Sequence, residues 1–262
     1  MKTLRRIAMP FVVLPLLAAP TSTIVRRHDR DDQAFLDLAL RYPSTVTVRK
    51  ARDRGEPGDA GTLIDPRWVL TAAHVAANLA PGDIAEVGGT SYRIEQVVRH
   101  PDWRSNADLR SDIALLRLTE PVTGITPVSI YTGSDEVGMV VTFVGRGGTG
   151  TGLTGPVAED GRLRAATNRV DRAEGSLLQF RFDAPGDSGV TDLEGISGPG
   201  DSGGPAYADR NGVRYVVGVS SGQDSRPANR KEGHYKVLEY YPRVSYFANW
   251  IRSVTAPPVP PL

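Results

Sequence analysis

The hydrophobic period of the chain changes twice along its length. Phe35, Leu38 and Tyr42 recur at i, i+3 and i+7 behind Asp29, Asp31 and Asp32. This is the row of a short helix whose acidic start suits the helix dipole, and Pro43 stops it. The helical period then disappears until Phe247, Trp250, Ile251 and Val254, which make a closing amphipathic helix. Between the two lie short apolar or alternating runs at Thr45–Val48, Gly61–Ile64, Trp68–Thr71, Tyr92–Val98 and Ile113–Leu118, and at Val137–Val144, Leu177–Phe182, Val213–Val219 and Lys236–Tyr241. Clusters of Gly, Pro, Asn and Asp bound them, as at Gly145–Gly155 and Asp183–Gly189. Many short strands with turn signals between them predict an all-β, antiparallel sandwich or barrel, with one short helix near each end. No repeat of fixed period interrupts this pattern, and Ala256–Leu262 reads as a proline-rich, disordered tail.

The first residues follow a different logic. Lys2, Arg5 and Arg6 precede an apolar run from Ile7 to Ala19, 13 residues broken by Pro10 and Pro15. A bilayer span needs about 20 residues, so this is read as an export signal over 1–23 and not as a membrane anchor. Its removal leaves 28 basic and 30 acidic residues, a mature charge of −2 against +1 for the whole chain. A balance so close to zero, without a basic face, argues against nucleic acid or an anionic membrane as partner. Cysteine is absent, which excludes disulfides, thiolate metal sites and a catalytic Cys. An exported fold of this kind must stand on core packing alone.

Three local sequences carry candidate chemistry: Trp68-Val69-Leu70-Thr71-Ala72-Ala73-His74-Val75, Ser111-Asp112-Ile113-Ala114-Leu115-Leu116, and Gly198-Pro199-Gly200-Asp201-Ser202-Gly203-Gly204-Pro205. Each alone has a plain structural reading as a satisfied core histidine, a turn aspartate or a glycine loop. Together they supply what acyl transfer by serine requires: a hydroxyl, a base in reach of it, an acid that orients the base, and backbone N–H donors on a glycine rim. Gly200–Gly204 also satisfies G-x-S-x-G, and Ser202, Asp224 and His234 follow the chain order of an α/β-hydrolase. That elbow needs a helix after it, whereas Pro205 and the strand-like Val213–Val219 follow. Gly186-Asp187-Ser188-Gly189 repeats part of the nucleophile motif without its second Gly and Pro, and reads as a loop.

The order His, Asp, Ser on an all-β pattern resembles the chymotrypsin/trypsin-like (S1) serine protease family, in its secreted bacterial form without disulfides. The resemblance runs from about Ile24 to Val254. His100-Pro101, Val144-Gly145-Arg146-Gly147, Val219-Ser220-Ser221-Gly222 and the Tyr246–Val254 helix are weaker matches. It implies two packed six-stranded antiparallel barrels, the first over about 44–130 and the second over about 131–245, with a helix at 246–254. It implies that Ser202 is the nucleophile, His74 the general base and Asp112 its orienting acid, with an oxyanion hole at the N–H groups of Gly200 and Ser202. Ser220 supports the catalytic Asp in that family, and Ser220, Ser221 and Gly222 pair with substrate as an added strand.

The resemblance further implies that a freshly made Ile24-Val25 N-terminus pairs its amine with Asp201, although Arg26-Arg27 replace the family's two glycines. Specificity falls to Ile196, six residues before Ser202, whose apolar side chain favours an apolar P1 residue over a basic one. Glu239 aligns near the pocket wall, where a Glu would receive a basic P1 group, but it is read in preference as a solvated strand residue. The expected protein is a monomeric, secreted or periplasmic endopeptidase acting on proteins or peptides, without cofactor or metal. The rival is a catalytically silent binding protein on the same fold.

Overall fold

The protein is described here by a computed structural model covering residues 24–53, 58–105, 108–226 and 231–257. The export-signal reading at 1–23 and the tail beyond residue 257 lie outside the described residues. The elements are, in order, β1 (Val25–Arg26), α1 (Asp32–Ala39), β2 (Thr45–Arg49), β3 (Asp59–Asp65), β4 (Trp68–Thr71), α2 (Ala73–Ala76), β5 (Ile84–Val87), β6 (Thr90–Arg99) and β7 (Ala114–Leu118). The second half contributes β8 (Ser129–Ile130), β9 (Val140–Gly145), β10 (Gly148–Thr151), β11 (Gly155–Glu159), β12 (Arg164–Arg169), β13 (Arg172–Glu174), β14 (Leu177–Arg181), β15 (Gly195–Ile196), β16 (Pro205–Arg210), β17 (Val213–Val219), β18 (Gly222–Asp224), β19 (Leu238–Pro242) and α3 (Val244–Thr255).

Six antiparallel strands close the first barrel in the order β2-β3-β4-β7-β6-β5. Alternation builds its interior: Val46 and Val48, Ala85 and Val87, and Tyr92 and Ile94 point inward from β2, β5 and β6. All four residues of β4 are buried, because that strand is covered on both faces. In the second half a five-stranded sheet, β12-β9-β16-β17-β8, faces a four-stranded one, β13-β14-β19-β18. Val141, Phe143, Ala166, Leu178, Phe180, Ala206, Val217 and Tyr241 fill the space between them. Phe143, Phe180 and Tyr241 meet with ring centroids 4.9–5.2 Å apart, each pair adding about 0.5–1.5 kcal/mol beyond area burial. The closed first barrel and the facing sheets of the second half are consistent with the expected double-barrel architecture, with the six-stranded closure seen in the first. Ser129–Ile130 pairs in parallel with β17, so the last residues assigned to the first barrel bond to the second.

The N-terminal helix forms where the acids predict it. Asp31 caps it by accepting from the Gln33 N–H at 2.9 Å. It ends at Ala39, earlier than the Tyr42 of the sequence reading, and Tyr42 stacks instead on Tyr207 at 5.1 Å. A fully buried Arg164 on β12 grips its first residue, donating from Nε and Nη2 to the two Asp32 oxygens at 2.7 Å each. The same guanidinium forks onto Asp160 at 2.9 and 2.8 Å, and Arg26 Nε reaches Asp32 at 2.8 Å. The second barrel therefore clamps the segment that follows Ile24.

Several strands carry no signal the sequence reading used. β12 and β16 are rich in Ala, Arg or Asp, β5 is only four residues long, β10 lies within the Gly145–Gly155 turn cluster and β11 starts at its last residue. No helix among the described residues is long and apolar enough to cross a membrane.

Candidate active site

The register of two strands brings His74 to Asp112. β4 pairs with β7, Thr71 opposite Ala114, so the residues just after β4 lie beside those just before β7. His74 sits in α2, the single turn that follows β4. Asp112 ends a one-turn 3-10 helix, Leu109–Ser111, whose start Asp108 caps by accepting from Arg110 N–H. One oxygen of Asp112 accepts the His74 backbone N–H at 2.7 Å, and the other lies 2.6 Å from Nδ1. That second contact makes Nδ1 the protonated nitrogen and leaves Nε2 as the acceptor. The Asp112 side chain is 2% exposed and that of His74 20% exposed.

Ser202 arrives from the second barrel on the loop between β15 and β16. Its carbonyl accepts the Ala60 N–H of β3 at 2.8 Å, which ties the loop to the first barrel. Gly203 N–H donates to the Ser220 carbonyl at 2.8 Å, and Ser220 N–H to the Gly204 carbonyl at 2.8 Å. Gly200 and Gly203 hold φ of +94° and +79°, which only glycine adopts without strain. Among the described residues the N–H groups of Gly200 and Ser202 have no acceptor, whereas those of Asp201, Gly203 and Gly204 are all paired. No hydrogen bond joins the Ser202 hydroxyl to His74; such contacts are often long without substrate and tighten when it binds.

Burial favours the neutral imidazole of His74, but the hydrogen bond and charge of Asp112, helped by Asp59, outweigh it and lift its pKa above 6.5. Asp59 itself is pushed up by burial against the opposing pull of His74. The sequence reading missed Asp59, which stands just before the residue that holds the Ser202 carbonyl. Asp201 is fully enclosed and burial raises it to about 7, against backbone N–H donors at Gly198 (3.0 Å) and Gly147 (3.3 Å). No cation pairs with it among the described residues. Gly145 is required at the end of β9 because a Cβ there would overlap the Asp201 carboxylate. Ile24 is completely buried in the second-barrel core, and Val25 pairs with both Ile196 and Gly150.

Three expectations about the pocket are corrected. The hydroxyl on Asp112 belongs to Ser221, which donates to Oδ2 at 2.6 Å, while Ser220 Oγ lies 3.0 Å from Ser197 Oγ. The strand turns so that its second serine, not its first, faces the acid. Glu239 is not a solvated residue but is 0% exposed. It accepts from Ser197 N–H at 3.2 Å and from the Ser197 hydroxyl, and burial drives its pKa well above the usual carboxylate range, with Asp201 adding to the rise. Ile196 is also 0% exposed and packs into a separate apolar cluster with Val25, Phe182, Tyr235 and Val237. Gly222–Asp224 forms β18, the edge strand of its sheet.

The competing constellation does not assemble among the described residues. Asp224 pairs with Arg226 at 2.9 Å, and His234 Nδ1 faces the carbonyls of Lys231 and Glu232. Gly186–Gly189 lies in a turn whose Asp187 accepts the Ala184 N–H at 2.8 Å and pairs with Lys236. No group of three or more His, Asp or Glu side chains among the described residues could hold a metal ion.

The chain matches the Trypsin family over residues 42–251. It is 31% identical over 216 residues to chymotrypsin-like elastase family member 1 of Canis lupus familiaris, covering 75% of this chain and 80% of that protein. The Bos taurus protein of the same name is 30% identical over 240 residues, covering 82% and 85%. Serine protease 41 of Homo sapiens is 28% identical over 258 residues, covering 84% and 74%.

Proposed function

The chain belongs to the trypsin family and is a serine-type endopeptidase; from that premise we propose that it cleaves peptide bonds through an acyl-enzyme formed on Ser202. His74 Nε2 takes the Ser202 proton as the hydroxyl attacks the scissile carbonyl, then gives it to the departing amine. A water attacks the ester by the same relay in reverse. Asp112 holds the imidazole in the tautomer that leaves Nε2 free, and its charge stabilises the imidazolium. The unpaired N–H groups of Gly200 and Ser202 receive the developing oxyanion. The observation that carries this reading is the double grip of Asp112 on His74, through the backbone N–H and through Nδ1.

Cleavage after Thr23 frees an Ile24 amine beside a second barrel already docked to Val25, and that amine pairs with Asp201. The fully buried carboxylate, which has no cation among the described residues, supports this assignment, since an enclosed charge without a partner is costly. The enzyme works outside the cytosol as a monomer on protein or peptide substrates and needs no cofactor. The test uses mature protein with a fluorophosphonate probe, beside Ser202→Ala, with the labelled residue mapped by mass spectrometry and the N-terminus sequenced. Label on Ser202 alone, in material that starts at Ile24, is expected. A folded sample that starts at Ile24 and takes no label is instead a silent binding protein.

A further inference from the structure

Three segments meet beside the loop that carries Ser202. Ser197 follows β15 on one side, Ser220 to Gln223 run along the other, and β19 stands behind, with Glu239 opposite Gln223 in the β18–β19 register. In an open pocket the two side walls face each other across solvent or substrate. Here one residue joins all three. Ser197 Oγ reaches Ser220 Oγ at 3.0 Å on the opposite wall and donates to Glu239 Oε1 on the back wall. The Ser197 N–H donates to the other Glu239 oxygen at 3.2 Å. The Gln223 amide completes the closure, Nε2 donating to the Ser197 carbonyl while Oε1 accepts the Gly233 N–H at 2.9 Å. Both ends of that amide are engaged, which settles its orientation. Ser197, Ser220 and Glu239 are buried.

We infer that Ser197, Gln223 and Glu239 form a hydrogen-bonded bar across the primary specificity pocket, so that the enzyme cleaves after small, uncharged residues. This rests on the serine-endopeptidase reading of the same site and deepens it. A side chain of one carbon fits above the bar and leaves it intact. A leucine or phenylalanine has to displace Gln223, leaving the Ser197 carbonyl and Gly233 N–H unpaired, and lays hydrocarbon against the Glu239 carboxyl. Ile196, the residue the sequence assigns to the pocket base, lies sealed below the bar and is not reached. A lysine or arginine must also break the bar and then ionise Glu239, whose complete burial favours its neutral form.

The experiment measures kcat/KM on a peptide series that varies only P1, with mature protein whose active sites are counted by the fluorophosphonate probe. Wild type is expected to cleave after Ala and Ser at least about tenfold faster than after Leu, Phe, Lys or Arg, the scale of one lost hydrogen bond. In Gln223→Ala the ratio of Leu to Ala cleavage rises about tenfold. Cleavage after Leu or Phe at parity with Ala in wild type overturns the inference, and so does a Gln223→Ala ratio equal to that of wild type. Preferred cleavage after Lys or Arg overturns it as well and makes Glu239 a counter-ion instead. The wild-type profile decides even where Gln223→Ala does not fold. Folded protein that takes no label refutes the endopeptidase reading itself, whereas labelled protein with the wrong P1 profile refutes only the bar.

Discussion

Gly203→Ala tests the joint between the two barrels and the nucleophile at once. Gly203 has φ of +79°, and an alanine there pays about 1–2 kcal/mol for the left-handed backbone. The new Cβ points into the first barrel, where it overlaps Thr71 Oγ1 and Ala60 O and stands 3.0 Å from Ala72 N. Thr71 Oγ1 already donates to Ala60 O at 2.8 Å, so the methyl drives into the two atoms of an existing hydrogen bond. Relief comes from breaking that bond or from pushing the loop away, which stretches the 2.8 Å contacts from Ala60 N to Ser202 O and from Gly203 N to Ser220 O. Overpacking of this kind costs about 1–3 kcal/mol. The total is about 2–5 kcal/mol of folding stability.

A shift of about 1 Å at Ser202 lowers kcat/KM about a hundredfold. Urea unfolding and the rate of fluorophosphonate labelling, corrected for the folded fraction, measure the two effects. Gly186→Ala is the control, because Gly186 shares a positive φ of +91° but its Cβ meets nothing within 4 Å. It loses about 1–2 kcal/mol from the backbone alone and labels like wild type. A Gly203→Ala protein within about 0.5 kcal/mol of wild type, labelled at the wild-type rate, refutes the reasoning.

Two further outcomes follow from the charges. Only neutral His74 accepts the Ser202 proton, and its pKa is raised, so kcat/KM falls on acidification with an apparent pKa above 6.5. Asp112→Asn moves that limb to lower pH and cuts kcat about 10⁴-fold, and an unchanged limb in the pH profile refutes the coupling. At the N-terminal clamp, the Arg164 hydrogen bonds hold Asp160 down at about 2 and also lower Asp32. Folded pKa values below the ordinary 3.8 mean that this stabilisation is fully present above about pH 4 and is lost as pH falls toward 2. Arg164→Met therefore costs about 2 kcal/mol at pH 7, less than a fully buried pair because Asp32 and Asp160 keep 28% and 34% exposure and rehydrate. In urea titrations the gap to wild type narrows from pH 4 to pH 2, and a constant gap refutes the assignment.

The chemistry of this protein is written in segments short enough to read along the chain. The Ala-Ala-His turn, the Asp before an apolar strand and the glycine rim of Ser202 are local sequences, because a base, its acid and an oxyanion loop each need particular neighbours in the chain. Continuous apolar runs bounded by turn residues, such as β4 and β17, are legible to the residue, and so is the acidic start of α1. β5 and β12 are not, since Ile84–Val87 and Arg164–Arg169 become strands through the neighbours that close the barrel and cover the Arg164 guanidinium.

Tertiary structure alone decided which serine touches Asp112. Ser220 and Ser221 are chemically identical, and the choice depends on how the strand turns after Ser220 bonds Gly204. It also decided Glu239, whose alternating strand shows which face it shares but not that Ser197 and Gln223 wait on that face. Period-2 alternation assigns a side chain to a side of a sheet. What fills that side comes from strands distant in sequence, and so burial, and with it the charge of Glu239 and Asp201, is set only when the strands and loops of the second half pack together.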